Sequence, residues 1–222
     1  MKQSSSRVSY YVPLIAGVVI FVAMTAVLAE VSEDIINHEP LTVVDVQLSN
    51  WLHIHGSAGL TTVMRVLTFF GSTVVVCIAA IGFGGFLLRK RRFGWVVVLG
   101  AAVLGGALLN RLLKYFFHRP RPYFDDPILT LTSYSFPSGH TMMATVLYGA
   151  IAACLVAMTS DWRKRLVIVG GAVVLILIVG FSRIYLGAHY LSDVLGAMAE
   201  GLAWLSLCLT LVSAVLRRTK NA

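Results

Sequence analysis

Charged residues are scarce in this chain. They make up 13% of 222 residues, against about 25% in soluble domains. That scarcity excludes an ordinary water-soluble fold. Acids are rarer than bases, with ten Asp and Glu against 18 Lys and Arg. No cluster of carboxylates suits a two-metal centre, so no metal site and no cofactor are expected. The three cysteines, Cys77, Cys154 and Cys208, all lie in apolar stretches. An odd number placed so excludes a disulfide framework and leaves them as small hydrophobes. Internal repeats, low-complexity tracts and Pro- or Ser-rich linkers are missing too, which points to a single domain over 1–222.

What is present is apolar sequence in long blocks, 58% hydrophobic overall. A helix needs about 20 apolar residues to cross the hydrocarbon core. Six stretches qualify as candidates: Val12–Ala29, Leu67–Leu88, Phe93–Leu113, Met142–Met158, Leu166–Phe181 and Val194–Leu216. The fourth and fifth are short, so their helices should extend into polar flanks. Backbone in lipid must satisfy its own hydrogen bonds, so these are expected as helices. The expected fold is an all-α integral membrane bundle of six transmembrane helices with an external interfacial helix. The first stretch also has features of a cleaved signal, with Lys2 and Arg7 before it and Val27-Leu28-Ala29 at its end. Its apolar run is longer than a signal core, which favours a retained helix.

Twelve of the 18 basic residues fall on one side of a six-span topology. They are Lys2 and Arg7, the run Arg89–Arg92, the run Arg163–Arg165, and Arg217, Arg218 and Lys220. That side is expected to be the cytoplasm, with both termini there. The net charge of +8 therefore implies membrane loops, and no nucleic-acid partner is expected. The other six are Arg65, Arg111, Lys114, Arg119, Arg121 and Arg183. Positive charge is disfavoured on the external side. With His118, His140 and His189 beside them, they suggest an anion site there. The external segment Glu30–Gly59 reads as a partly amphipathic interfacial helix. Its His53-x-His55 pair lacks an acidic or Cys partner at ligand spacing.

Three clusters carry chemistry. In Lys114-Tyr-Phe-Phe-His-Arg-Pro-Arg-Pro122, two prolines end the helix and start an extended strap. Lys114 and Arg121 can then converge as a mobile charge and a flat fork. In Ser135-Phe-Pro-Ser-Gly-His140, a helix start frees backbone N–H groups as an anion cradle, with His140 at its mouth. In Ser182-Arg-Ile-Tyr-Leu-Gly-Ala-His-Tyr-Leu-Ser-Asp193, His189 and Asp193 are four apart. They should share one face of the first turn of the last helix. A carboxylate there can hold one ring N–H and leave the other nitrogen free to attack. Each cluster alone also fits a plainer role: a basic interfacial anchor, a capped helix, a surface ion pair. All three fall on the same membrane face. Within the spans, Asn110 and Glu200 are polar, and a structural hydrogen bond inside the bundle is the preferred reading.

These residues resemble the type 2 phosphatidic acid phosphatase superfamily, which includes vanadium haloperoxidases and glucose 6-phosphatase. Its signature reads Lys-x6-Arg-Pro, Pro-Ser-Gly-His and Ser-Arg-x5-His-x3-Asp. Here these are Lys114…Arg121-Pro122, Pro137-Ser138-Gly139-His140 and Ser182-Arg183…His189…Asp193, within 114–193. The resemblance implies His189 as a nucleophile forming a phosphohistidine, Asp193 as its orienter and His140 as acid to the leaving oxygen. It implies that Lys114, Arg121, Arg183, Ser138 and Gly139 hold the phosphoryl oxygens. Arg119 and His118 lie beside the signature as possible substrate contacts. The implied activity is metal-independent removal of phosphate from a lipid phosphate lying in the bilayer. Undecaprenyl pyrophosphate is the first expectation, with phosphatidylglycerol phosphate and phosphatidic acid behind it. The site is expected on the periplasmic or external face of a cell membrane. A neutral His189 and a protonated His140 imply a bell-shaped pH–rate curve. A lipid phosphotransferase using the same phosphohistidine and a lipid transporter stay open as alternatives.

Overall fold

In the computed structural model, the backbone is described for residues 2–221. Side chains are described from 12 to 215, except at 13. The basic residues Lys2, Arg7, Arg217, Arg218 and Lys220 therefore lie outside the described side chains. Among the described residues there are α-helices and no strand. The helices are α1 (Lys2–Asn37), α2 (Pro40–Ile54), α3 (Ala58–Thr68), α4 (Thr73–Arg89), α5 (Phe93–Gly100), α6 (Gly106–Phe117), α7 (Gly139–Met158), α8 (Trp162–Tyr185) and α9 (Leu191–Asn221).

Among the described residues, five helical stretches are long and apolar enough to cross a membrane: Leu14–Asn37, Phe93–Phe117, Gly139–Met158, Trp162–Tyr185 and Leu191–Val215. A bent pair, Ala58–Gly71 with Thr73–Arg89, turned by 45°, makes up to six when its two halves are taken as one broken span. The chain is thus an all-helical, multi-pass membrane bundle. The expected second span at Leu67–Leu88 is broken, and the expected interfacial helix is split. Capping explains both. Ser57 and Ser72 have extended backbones and accept from Leu60 N at 3.4 Å and Val75 N at 3.3 Å. Each therefore starts a new helix. Pro40 likewise starts α2, three residues beyond α1. As expected, α7 and α8 extend beyond their apolar cores into polar residues.

The bundle has a clear centre. In α7 and α9, 56% of the apolar window is buried, against 6% in α1. Val76, Leu87, Leu99, Met142, Val146, Leu147 and Ala197 form the main core among α4, α5, α7 and α9. The outward faces stay apolar, as with Ile81, Leu104 and Val167. Lipid solvates such faces, so packing and internal hydrogen bonds must join the helices instead. Residues Ala101–Gly105 form a π-helical turn between α5 and α6. A π-turn displaces carbonyls from the regular ladder. Trp204 Nε1 of α9 donates to Ala101 O at 3.0 Å. Asn110 of α6 donates to Glu200 of α9 at 2.9 Å. These two intramembrane residues thus pair through one oxygen of Glu200, while its Oε1 has no hydrogen-bond partner.

The bend between α3 and α4 serves the site. A Cβ on Gly71 would lie 2.7 Å from the His140 carbonyl and 2.6 Å from Val179 Cγ1. Only glycine lets this turn press against the start of α7. From there α4 runs to Arg89, so the basic run Arg89–Arg92 lies at the far end of the bundle. Arg163–Arg165, at the start of α8, are likewise remote from Arg183 at its other end.

Candidate active site

Four helix ends meet here. Lys114 stands in the last turn of α6, which stops at Phe117. His118 then turns left-handed at φ 48°, and the strap runs on through Pro120 and Pro122. Arg121 reaches back from the strap. Its Nε donates to Ser133 O at 2.7 Å and its Nη2 to Ser133 Oγ at 2.9 Å. Lys114 Nζ donates to Tyr134 O at 2.8 Å and Ser135 O at 3.1 Å. Arg121 Nη2 shares the Tyr134 carbonyl at 3.2 Å. Lys114 and Arg121 therefore do converge, on one loop carbonyl.

Ser138 caps α7 with extended backbone, and Gly139 and His140 open the helix. Its first-turn N–H groups stand outside the helical ladder. Ser138 N donates to Asp193 O at 3.0 Å, which locks this turn to α9. A cavity of about 200 Å³ lies beside His140, lined also by Gly71, Thr73, Asn110 and Met143.

The third cluster is built by the end of α8. Ala188 N donates to Arg183 O and Gly187 N to Ile184 O, both at 3.0 Å. That is a Schellman ending, and Gly187 at φ +65° supplies its left-handed residue. A Cβ there would also lie 2.9 Å from Phe124 Cε2. His189 follows at once, its own N–H also bonded to Arg183 O at 3.2 Å. The helix after it starts only at Leu191. His189 therefore sits in the turn before α9, not in its first turn as the spacing suggests. The pairing survives because Asp193 reaches back over the turn. Its Oδ2 accepts from Tyr190 N at 2.9 Å and lies 3.3 Å from His189 Nδ1.

The ring of His189 is thereby oriented. Nδ1 faces Asp193, with Ser135 Oγ at 3.4 Å. Nε2 faces Arg121 Nη1 at 3.2 Å. A guanidinium can only donate, so Nε2 carries the lone pair and Nδ1 the proton. Burial pushes the His189 pKa down from 6.5 to about 3; the Asp193 hydrogen bond and charge oppose this, and Arg121 and Lys114 reinforce it. The charges of Lys114, Arg121 and Arg183 also reach His140. Arg183 is buried, held by Nη1 to Thr68 Oγ1 at 2.9 Å, while its Nε has no hydrogen-bond partner.

The structure adds residues that the motifs do not reveal. Arg119 faces away from the cation cluster. Its Nη1 donates to Asp193 Oδ1 at 2.7 Å and Ser192 Oγ at 2.6 Å, and its Nη2 to Asp45 Oδ2 at 2.8 Å. It supports Asp193 from behind and stacks over Tyr190 at 4.6 Å. Ser135 Oγ donates to Asp193 as well. Asp45 has a visible signal in retrospect: Asp45, Ser49 and Leu52 form the buried stripe of α2. An acid at an i, i+4, i+7 core position asks for a partner. His53 meets no metal partner either. It pairs with Asp126 at 2.9 Å and stacks on Phe124 at 4.0 Å, pinning the loop over Gly187. Among the described residues, no group of His, Cys, Asp and Glu could hold a metal ion.

A family model described as the PAP2 superfamily matches residues 95–217, more than half of the chain. The chain belongs to the PAP2 superfamily. It is similar to phosphatidylglycerophosphatase B of Bacillus subtilis, 40% identical, over 64% of this chain and 70% of that one. Undecaprenyl-diphosphatase BcrC of the same organism is 32% identical, over 65% and 70%. A crystal structure of a transmembrane PAP2 type phosphatidylglycerolphosphate phosphatase from B. subtilis matches at TM-score 0.72. It is 29% identical, over 87% of this chain and 94% of that one. Aquifex aeolicus LpxE matches at TM-score 0.62 and 25% identity, over 75% and 94%. This PAP2 protein is therefore an enzyme, a membrane lipid phosphatase.

The neutral state of His189 has a measurable consequence. Its folded pKa lies below its unfolded value, so the unfolded chain binds more protons between about pH 3 and 6.5. Stability should be complete above 6.5 and decline as pH falls through that window. The thermal midpoint in detergent is expected to drop on acidification to pH 4, and His189→Gln to flatten the response. Identical curves for the two proteins would contradict the buried neutral ring.

Proposed function

We propose that this enzyme hydrolyses a phosphomonoester or terminal pyrophosphate of a membrane lipid through a phosphohistidine on His189. The observation that carries this is the orientation of one ring. Nδ1 is held by Asp193 while Nε2 points to the guanidinium of Arg121. The Nε2 lone pair attacks phosphorus, and the bond from phosphorus to the lipid oxygen breaks. That oxygen leaves with a proton from His140. Water, losing a proton to His140, then attacks phosphorus. The N–P bond breaks, phosphate departs, and His189 returns neutral.

Lys114, Arg121 and Arg183 neutralise the phosphoryl oxygens, as phosphoryl transfer demands. Ser138 and the Gly139 N–H add donors at the start of α7. The unpartnered Nε of Arg183 suits a phosphoryl oxygen. Lys114 and Arg121 exchange neutral carbonyls for anionic oxygens as substrate binds, and that exchange favours the charged ligand. The cavity beside His140 offers room for the leaving lipid oxygen and the start of its chain.

The basic runs at the far end of the bundle support a cytoplasmic far end and a periplasmic or external site. Phosphatidylglycerol phosphate is the substrate best supported, through the 40% identical relative and the 0.72 structural neighbour. Undecaprenyl pyrophosphate, the expectation from sequence, keeps the support of the 32% identical relative. Free phosphate released from these two lipids and phosphatidic acid, each with EDTA, tests the reading. EDTA-resistant release, fastest from phosphatidylglycerol phosphate, is expected. EDTA-sensitive release would defeat the mechanism, and a faster undecaprenyl reaction would reassign the substrate.

A further inference from the structure

Asp45 lies outside the signature, on a helix that carries none of it. Its side chain is fully buried, in a chain with few acids to spare. Its Oδ1 accepts from Ser192 N at 2.9 Å. Its Oδ2 accepts from Ser192 Oγ and from Arg119. The same Arg119 fork holds Asp193, whose other oxygen faces His189. Two buried carboxylates therefore share one guanidinium, with a neutral imidazole at the end of the row.

Count the charges in that row. Asp45, Arg119 and Asp193 sum to minus one, and His189 adds nothing at rest. When phosphorus bonds to Nε2, the ring becomes cationic and the row becomes neutral. Without Asp45, the resting row is already neutral, because Arg119 cancels Asp193. The carboxylate that should stabilise the cationic ring would then be drawn wholly to the guanidinium. Arg119 supplies one of the donors that hold Asp193 in place, a part that a neutral amide could also play, and Asp45 offsets the charge that the guanidinium brings with it. In a buried site this matters more than it would in water.

We infer that Asp45 is a positioning residue of the reaction: through Arg119 it leaves Asp193 the negative charge that stabilises His189 as the ring becomes cationic. The inference rests on His189 being the nucleophile. Asp45 itself touches no substrate group, so it should act on kcat and not on KM.

Asp45→Asn keeps the shape and removes the charge. Loss of a supporting partner of this kind costs roughly 10- to 100-fold in activity. The variant should lose that much in kcat, with KM within about threefold of wild type. Adding Arg119→Gln removes the charge that Asp45 offsets, so the double variant should regain most of the loss. A purely structural contact would instead give a double variant worse than either single one. Should Asp45→Asn not fold, the charge-balanced double is read alone. Its kcat is then expected within about tenfold of wild type, and a greater loss overturns the inference. A folded Asp45→Asn with kcat unchanged overturns it too, as does a double no better than the single. His189→Ala, run alongside, separates the two claims. Turnover surviving there defeats the histidine mechanism itself, whatever Asp45 does.

Discussion

Replacing His189 with alanine is expected to reduce turnover by roughly ten-thousand-fold or more, while the protein remains folded. Nothing else in the site can take over the nucleophile's place. His140 stands at the cavity end of the cradle, where the proposed mechanism gives it to the leaving oxygen. The fold should survive because the neighbours keep other partners. Arg121 retains Ser133 and Tyr134, and Asp193 retains Tyr190 N and Arg119. Labelled lipid phosphate, quenched in alkali where an N–P bond persists, should leave label on the wild-type enzyme and none on the variant. Equal labelling of both would end the assignment. The same labelled enzyme separates hydrolysis from transfer. Decay of the label in water alone, with matching free phosphate, marks a hydrolase; decay that waits for a second lipid marks a phosphotransferase.

Much of this architecture is legible in the amino-acid sequence. Apolar runs mark the spans at Phe93, Met142, Leu166 and Val194, because lipid leaves the backbone no alternative to helix. The motifs mark Lys114, Arg121, Gly139, His140, Arg183, His189 and Asp193, and the fold gathers them at one end. The break near Gly71 is not legible. It depends on a tertiary contact with the His140 carbonyl, and Ser72 capping is too short a signal inside an apolar run. Spacing misplaces His189 by one turn for a related reason. A separation of four reads as helix, but here a Schellman ending and a carboxylate reaching back produce the same meeting. The network behind Asp193 is the largest omission. Arg119 resembles a fourth phosphate ligand because it shares the strap with Arg121. Only the packing of α2 against α9 shows that the two arginines face opposite ways. Asp45 is 148 residues from Asp193 along the chain, a separation that no local pattern spans.

Asp193→Asn is the second large effect, expected at roughly a thousand- to ten-thousand-fold in kcat, by analogy with a triad carboxylate made amide. The change is nearly isosteric, so the loss would not come from lost volume. It comes from counting donors. Four groups surround the carboxylate: Arg119, Ser135, Tyr190 and His189. An amide offers one acceptor oxygen and one donor nitrogen. If the oxygen stays beside His189, the NH2 group faces the Arg119 cation at what was a 2.7 Å contact. If the amide flips, its NH2 faces Nδ1 and selects the tautomer with hydrogen on Nε2, which cannot attack. Either orientation also removes the charge that stabilises the cationic ring. KM should change little, because the three cations proposed to bind phosphate are untouched. A lower melting temperature is expected as well, since a buried guanidinium loses one of its two carboxylates. If instead the folded variant keeps kcat within about tenfold of wild type, Asp193 is only a brace for the turn. The lone pair of Nε2 would then be fixed by Arg121 alone.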